Sequence, residues 1–382
     1  MPDLVFVCPF NLDRTAGTPL RARTTIEAVG GAFSTAILAT GGNLHGVEVI
    51  ERAWLRREGR PDQFRMDRFG ADVFRHLKVL KPRIIHAFTT PSYPPALAYK
   101  LMHRSVKLVF ESHGLAKLEA LGANPLYRGV STLIDAAGVR WADDLILMSH
   151  SQQKYYSQAF SRGSAGTHVI WGPVDTKRIQ VTAPPPAPPV VFGYLGGKSH
   201  WQGTETILSA ARLLAESSPE IAFRLAGVDP KDLPGDIPRN IEVLGPIPTE
   251  RGDRFLQECH ALLSTRVCGP VAQVQYPQKL SHYLAAGRPV VASEVSDQAE
   301  IVRRAGCGLT YPAQDSQALA SQIKAMSRLS SDERARMGLN AKRFADEHLS
   351  VGSLAIRLGE IYAGSGKARL SRGAKYPAAP RS

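Results

Sequence analysis

The chain has 382 residues, 43% hydrophobic and 21% charged, which fits a soluble globular protein long enough for two domains. No run approaches the roughly 18 apolar residues of a membrane span, so no spanning helix is expected. The formal net charge of +13 suits nucleic acid, anionic lipid or an anionic substrate, with general solubility charge as the alternative, but no nucleic-acid-binding motif accompanies it and aromatics are not interleaved with the basic residues, which sets nucleic acid aside.

The N-terminus, MPDLVFVCPF, has no basic lead and runs straight into an apolar stretch, so no signal peptide is expected. Leu4–Val7 reads as a strand, followed by a loop over Pro9–Pro19 and a helix from about Leu20. Asp13, Arg14, Gly17, Thr18 and Arg21 cluster where strand becomes helix, and a glycine in that turn lets a ligand approach the backbone closely; an ordinary turn is the alternative. Strands follow at Thr35–Ala39, Val47–Ile50, Arg83–Ala87 and Val106–Phe110, with helical spacing over Asp62–Leu80 and Leu97–Met102. This βαβ rhythm predicts a parallel sheet with right-handed crossovers and ligands at the carboxyl ends of its strands. Glu111-Ser112-His113-Gly114 sits at such an end, where His113 either reaches a crevice or is a satisfied loop histidine. Leu126–Trp141 is helical and Leu145–Met148 a strand.

Thr182–Pro189, TAPPPAPP, reads as a stiff extended spacer and places a domain boundary. Val190–Leu195 begins a second sheet, and Gly196-Gly197-Lys198-Ser199-His200-Trp201-Gln202-Gly203 leads from it into a helix at Thr204. Strand, glycine-rich turn and helix start form a phosphate cradle in outline. Ala222–Ala226 ends at Gly227, and Ile241–Leu244 at Gly245-Pro246-Ile247. Asp253–His260 reads as a helix, and Arg266 follows the strand Ala261–Ser264, either facing the cleft or as a solvated charge.

Tyr276–Ser293, YPQKLSHYLAAGRPVVAS, carries the strongest local pattern. Pro277 suits a first helical turn, Gly287 the position past the helix end, and Leu280, Tyr283 and Leu284 one apolar stripe. Lys279 then lies near a helix N-terminus, where free N–H groups, the dipole and an ammonium together favour a phosphate; a core helix with a solvated lysine is the alternative. Ser296–Val302 reads as a capped helix, Leu319–Met326, Ser331–His348 and Leu354–Tyr362 as further helices, and Gly364–Ser382 as a basic disordered tail. Cys8, Cys259, Cys268 and Cys307 have no metal-ligand spacing and read as free thiols.

The phrase K-L-S-H-Y-L-A-A-G-R-P-V-V-A-S resembles the donor-site helix of family 4 glycosyltransferases, written K-L-x-E-Y-M-A-A-G-K-P-V-V-A in relatives, and the resemblance runs in order from about Leu4 to Tyr362. It implies the GT-B fold, an α/β architecture of two Rossmann-like domains facing a central cleft, with a C-terminal helix crossing back to the first domain. The expected divisions are 1–181 for the acceptor-side domain, 182–189 for the linker, 190–348 for the nucleotide-sugar-binding domain, 349–363 for the crossover helix and 364–382 for the tail.

The resemblance also implies an activity: transfer of a sugar from a nucleotide diphosphate sugar to a glycan or lipid-linked acceptor, with retention and without metal or other cofactor. Cell-envelope or exopolysaccharide synthesis in the cytoplasm, at the anionic inner face of the membrane, is the expected setting. His113 would position donor sugar or acceptor. Gly17, Arg21, Gly196, Gly197, Lys198, Gln202, Gly245, Ile247, Arg266, Gln275, Lys279, Leu280 and His282 would bind the substrate's nucleotide, diphosphate or sugar. This sequence departs from the family at two glutamates, whose positions fall on Val274 and His282. A non-catalytic partner protein, or a nucleotide-sugar epimerase or hydrolase on the same fold, is therefore the alternative.

Overall fold

The computed structural model describes residues 1–14, 17–42, 44, 48–50, 66–114, 125–161, 165–197, 199–233 and 235–364. Two compact units emerge. The first comprises Met1–Met148, Gln152–Ile170 and the C-terminal segment from Val351; the second comprises Ser149–Ser151 and Trp171–Ser350. Lys198 and most of the basic tail lie outside the described residues.

The first unit holds a seven-stranded sheet. Its strands are β1 Leu4–Asn11, β2 Thr35–Gly41, β3 Glu48–Ile50, β4 Ile84–Phe88, β5 Lys107–Ser112, β6 Asp144–Leu147 and β7 Thr167–Val169. They lie in the order β3-β2-β1-β4-β5-β6-β7, all parallel. The inner strands are buried almost throughout, as a sheet covered by helices on both faces requires. The order reverses between β1 and β4, and that reversal opens a crevice beyond the strand ends. The last helix, Val351–Ala363, packs on the helix Gly17–Val29 and adds Leu354, Leu358, Ile361 and Tyr362 to the core of this unit, as expected of a returning C-terminal helix.

The second unit repeats the design with six parallel strands, β8 Val190–Leu195, β9 Ile221–Ala226, β10 Ile241–Gly245, β11 Ala261–Ser264, β12 Val290–Ser293 and β13 Gly308–Tyr311. Their order is β10-β9-β8-β11-β12-β13, with the reversal between β8 and β11. The predicted stripe of Leu280, Tyr283 and Leu284 is fully buried in the helix Gln278–Ala285, and Gly287 takes the expected left-handed φ of +64°. Pro277 caps this helix rather than entering it.

The division between units falls at Ile170/Trp171, not in the proline-rich stretch. Residues from Trp171 onward are tied into the second unit. Trp171 Nε1 donates to Asp297 at 2.8 Å, Ser281 Oγ to the Gly172 carbonyl at 2.6 Å, and Arg288 Nη1 to the Thr182 carbonyl at 3.0 Å. The capped helix expected over Ser296–Val302 also differs: its N-cap is Asp297. This residue precedes the helix Gln298–Ala305 but makes no cap bond to it; its carboxylate instead accepts from the N–H groups of His150 and Ser151. Among the described residues no helix is long and apolar enough to cross a membrane.

Candidate active site

The second unit gathers Tyr194, Gly196, Arg266 and Lys279 beside the reversal point. Tyr194 ends the buried part of β8, and Gly196 follows the strand. The helix Gln278–Ala285 carries Lys279 in its first turn, and its Nζ lies over the Tyr194 ring, 4.0 Å from the centroid. Nζ is shut from solvent and has no hydrogen-bond partner among the described residues. A Cβ on Gly196 would lie 2.8 Å from Nζ and 2.7 Å from the Tyr194 hydroxyl, so only glycine keeps this space open.

Arg266 follows β11. Its backbone N–H is fixed by the Ser293 hydroxyl at 2.8 Å, and the residue is 4% exposed. Its Nε and Nη2 are buried without a partner among the described residues. Burial lowers the Arg266 guanidinium to about 10, with the Tyr194 phenol opposing that fall. Burial, and then the Arg266 charge, hold Lys279 well below the ordinary lysine value. Two basic side chains therefore share a desolvated site in which no carboxylate among the described residues pairs with either. Sequestering an unpaired ion is costed at several kcal/mol, and a cation–π contact returns only about 0.5–2 kcal/mol. A dianionic or polyanionic ligand would recover the rest.

The glycine turn is anchored against the same strand end. Thr265 Oγ1 donates to the Gln202 carbonyl at 2.8 Å, and Val267 N–H to the Trp201 carbonyl at 3.1 Å. The helix Thr204–Ala215 starts at Gly203 with no side-chain cap, which leaves its first amides available to an anion. Gly197 stands in open space. Gly227 faces the turn from the neighbouring strand, and its N–H donates to Gly245 O at 2.8 Å. Gly245 ends β10, and Ile247 is half-buried in the loop that follows.

Other expected residues are placed differently. Leu280 is fully buried, and its N–H bonds the Pro277 carbonyl at 2.9 Å, so its side chain belongs to the core and offers nothing to a ligand. Gln275 caps the short helix Pro270–Val274, its N–H bonding Val271 O at 3.2 Å. His282 is half-buried, and its pKa is lowered first by burial, with Asp253 raising and Arg178 lowering it further. Val274 is 5% exposed and its carbonyl accepts from Ser149 Oγ at 2.6 Å, so the position of the first family glutamate holds a core residue.

The first unit builds a separate polar cluster at the carboxyl end of its sheet. Glu111, fully buried, accepts at Oε1 from Arg21 Nε at 2.5 Å and faces His113 Nε2 at 2.6 Å. His86, also buried, lies with Nε2 3.2 Å from Glu111 Oε2 and Nδ1 2.6 Å from the Tyr362 hydroxyl. Burial alone would raise the Glu111 pKa; the Arg21 charge and the histidine bonds overcome it and hold the carboxyl well below the usual range. Arg21 thus departs from expectation: its side chain is 2% exposed and paired with a carboxylate, an arrangement that neutralises the charge a phosphate would need. Gly17 opens the helix that carries it. Glu111, His86, Tyr194 and Tyr362 were not singled out by sequence reasoning. The register pairs His86 with Val109 and Phe88 with Glu111, so His86 and Glu111 share one face of the sheet, a pairing that alternation along β4 and β5 would have signalled.

The family model for group 1 glycosyl transferases matches residues 189–328, the stretch that supplies the glycine turn, Arg266 and Lys279. The whole chain is similar in fold to sucrose-phosphate synthase from Thermosynechococcus elongatus, at 17% identity and a TM-score of 0.72 over 94% of this chain and 98% of that one. It is also similar to Anabaena HepE in complex with UDP and glucose, at 16% identity and a TM-score of 0.71 over 95% and 100%. WaaG, a glycosyltransferase involved in lipopolysaccharide biosynthesis, follows at 15% identity and a TM-score of 0.66 over 94% and 100%. At such identities the likeness establishes the fold, and that fold is GT-B. No curated protein sequence matches the chain.

Proposed function

We propose that this glycosyltransferase binds a nucleotide diphosphate sugar in its second unit and transfers the sugar to a hydroxyl of a glycan or lipid-linked acceptor. The observation that carries the reading is the pair of buried cations, Arg266 and Lys279, beside a glycine turn and an uncapped helix start. A diphosphate is the ligand whose charge and size answer that arrangement. In the transfer, the anomeric C–O bond breaks and its electron pair leaves with the diphosphate. The acceptor oxygen forms the new bond at that carbon and loses its proton. The developing charge on the leaving group is what Arg266, Lys279 and the helix amides would stabilise, and positioned dipoles and cations supply the largest share of such catalysis. With those charges supplied by the protein, the proposed reaction is metal-free.

Solved relatives support the choice of donor and setting: HepE is described in complex with UDP-glucose, and WaaG as involved in lipopolysaccharide biosynthesis. We therefore place the reaction as hexosyl transfer with retention, in cell-envelope or exopolysaccharide synthesis. The setting is the cytoplasm, at an anionic membrane surface that a net charge of +13 would favour. His113 would position donor sugar or acceptor. The buried Val274 favours a second reading, nucleotide-sugar binding without turnover, because that position offers no polar group to a sugar.

One experiment separates the readings. The protein is incubated with UDP-, GDP- and ADP-sugars, with and without a membrane extract, and nucleotide release is measured. Acceptor-dependent release supports transfer, and binding without release supports the second reading. Release or sugar isomerisation without acceptor points to a hydrolase or epimerase.

A further inference from the structure

The polar cluster of the first unit contains more order than a histidine near a crevice requires. An ionised carboxylate can only accept hydrogen bonds. Glu111 is the acceptor for Arg21 Nε and for His113 Nε2 at the same oxygen, 2.5 and 2.6 Å away. Its other oxygen faces His86 Nε2 at 3.2 Å, and His86 is itself set by the Tyr362 hydroxyl from the C-terminal helix. The remaining titratable neighbour is Cys8, whose buried thiol is raised first by burial and then by Glu111. Five elements thus converge on one carboxylate: β1, the helix Gly17–Val29, β4, β5 and the C-terminal helix.

We propose that Glu111 is a positioning residue that fixes His113 as the Nε2–H tautomer, leaving Nδ1 as a bare acceptor for a ligand hydroxyl. The bond to Oε1 requires the hydrogen on Nε2. Burial keeps the ring neutral, with the Glu111 contacts opposing it. In a neutral ring the other nitrogen is then an acceptor. Nδ1 takes no hydrogen bond from any described residue, and the His113 side chain keeps 8% of its surface exposed. An acceptor of this kind suits a neutral sugar hydroxyl and disfavours a phosphate or carboxylate, which has no hydrogen to give. The first unit would therefore recognise hydroxyls, while anion recognition is left to the cations of the second.

The test is nitrogen NMR of protein labelled at histidine. The wild type should show His113 with Nε2 protonated and Nδ1 bare. Glu111→Leu should populate the Nδ1–H form, and Glu111→Gln, which keeps an acceptor oxygen, should preserve the wild-type pattern. The turnover arm rests on the transferase reading. There Glu111→Leu should lose roughly tenfold or more in kcat with little change in donor KM, and Glu111→Gln should retain more activity than Glu111→Leu. If Glu111→Leu fails to fold, the wild-type spectrum and the Gln variant still decide. A wild-type His113 carrying its proton on Nδ1, or on both nitrogens at neutral pH, overturns the proposal. If no transfer is detected in any form, the tautomer assignment stands or falls on the spectra alone.

Discussion

Lys279 Nζ sits 4.0 Å from the centroid of the Tyr194 ring and meets no carboxylate among the described residues. The ring face carries partial negative charge and holds the ammonium in place, but it does not neutralise it. With Arg266 close by and equally short of partners, the pocket is electrostatically incomplete until an anion arrives.

That incompleteness should be visible in stability. Lys279→Met removes a desolvated charge while keeping most of the stem's packing. The variant should be more stable than the wild type by about 1 kcal/mol in the absence of ligand, because it relieves an unpaired buried cation. Urea unfolding measures this; a destabilised variant would mean the ammonium is satisfied in the native state.

Lys279 also links stability and binding to pH. Its folded pKa is depressed below the unfolded value, so the unfolded chain holds more protons in the window between the two. Stability therefore rises with pH across that window and falls as pH drops through the folded value. A bound diphosphate favours the ammonium, so above the folded value binding should take up a proton. Calorimetry in buffers of differing ionisation enthalpy detects this as a buffer-dependent heat, and a buffer-independent heat would contradict it.

Glu111 gives a slope of the same sign, in an acid window. Its folded pKa is depressed, so its stabilising contribution is full above the unfolded carboxylate value and is lost as pH falls through the folded one. Glu111→Gln removes the buried negative charge that Arg21 and His113 face and should cost about 3–5 kcal/mol at neutral pH. The gap from wild type should close in acid. Unfolding curves collected from neutral to strongly acidic pH would show it, and a constant gap would deny Glu111 that role.

Gly227 tests the geometry of the turn. It has φ of +88°, and a Cβ there would lie 2.8 Å from the Gly196 carbonyl oxygen. Gly227→Ala should cost about 1–2 kcal/mol for the left-handed backbone alone and displace Gly196 as well. Reduced thermal stability together with weaker diphosphate binding is the expected pair of results.

The parts of this account legible in sequence are those set by local pattern. Leu280, Tyr283 and Leu284 lie one helical face apart and all are buried, and Gly287 has the positive φ its place after a helix demands. The helix Ser331–His348 begins and ends where periodicity put it, with Ser330 and Glu333 forming a capping box. What escaped was set by partners distant in the chain. Arg21, on a helix, reads as a phosphate ligand until Glu111, from a strand 90 residues on, is seen to pair with it. TAPPPAPP reads as the boundary because its composition is extended, but Trp171 and Thr182 bind into the second unit through Asp297 and Arg288. Val274 shows that a family signature can be lost while the helix beside it keeps its form.

The central claim, a diphosphate held by Lys279 and Arg266, is tested most directly by titrating UDP and inorganic pyrophosphate into the wild type and Lys279→Met by calorimetry. The wild type should bind both, and the variant should lose about tenfold or more in affinity for each, the worth of a charge-assisted contact of roughly 1.5–3 kcal/mol. Equal affinity in the two proteins would contradict the account.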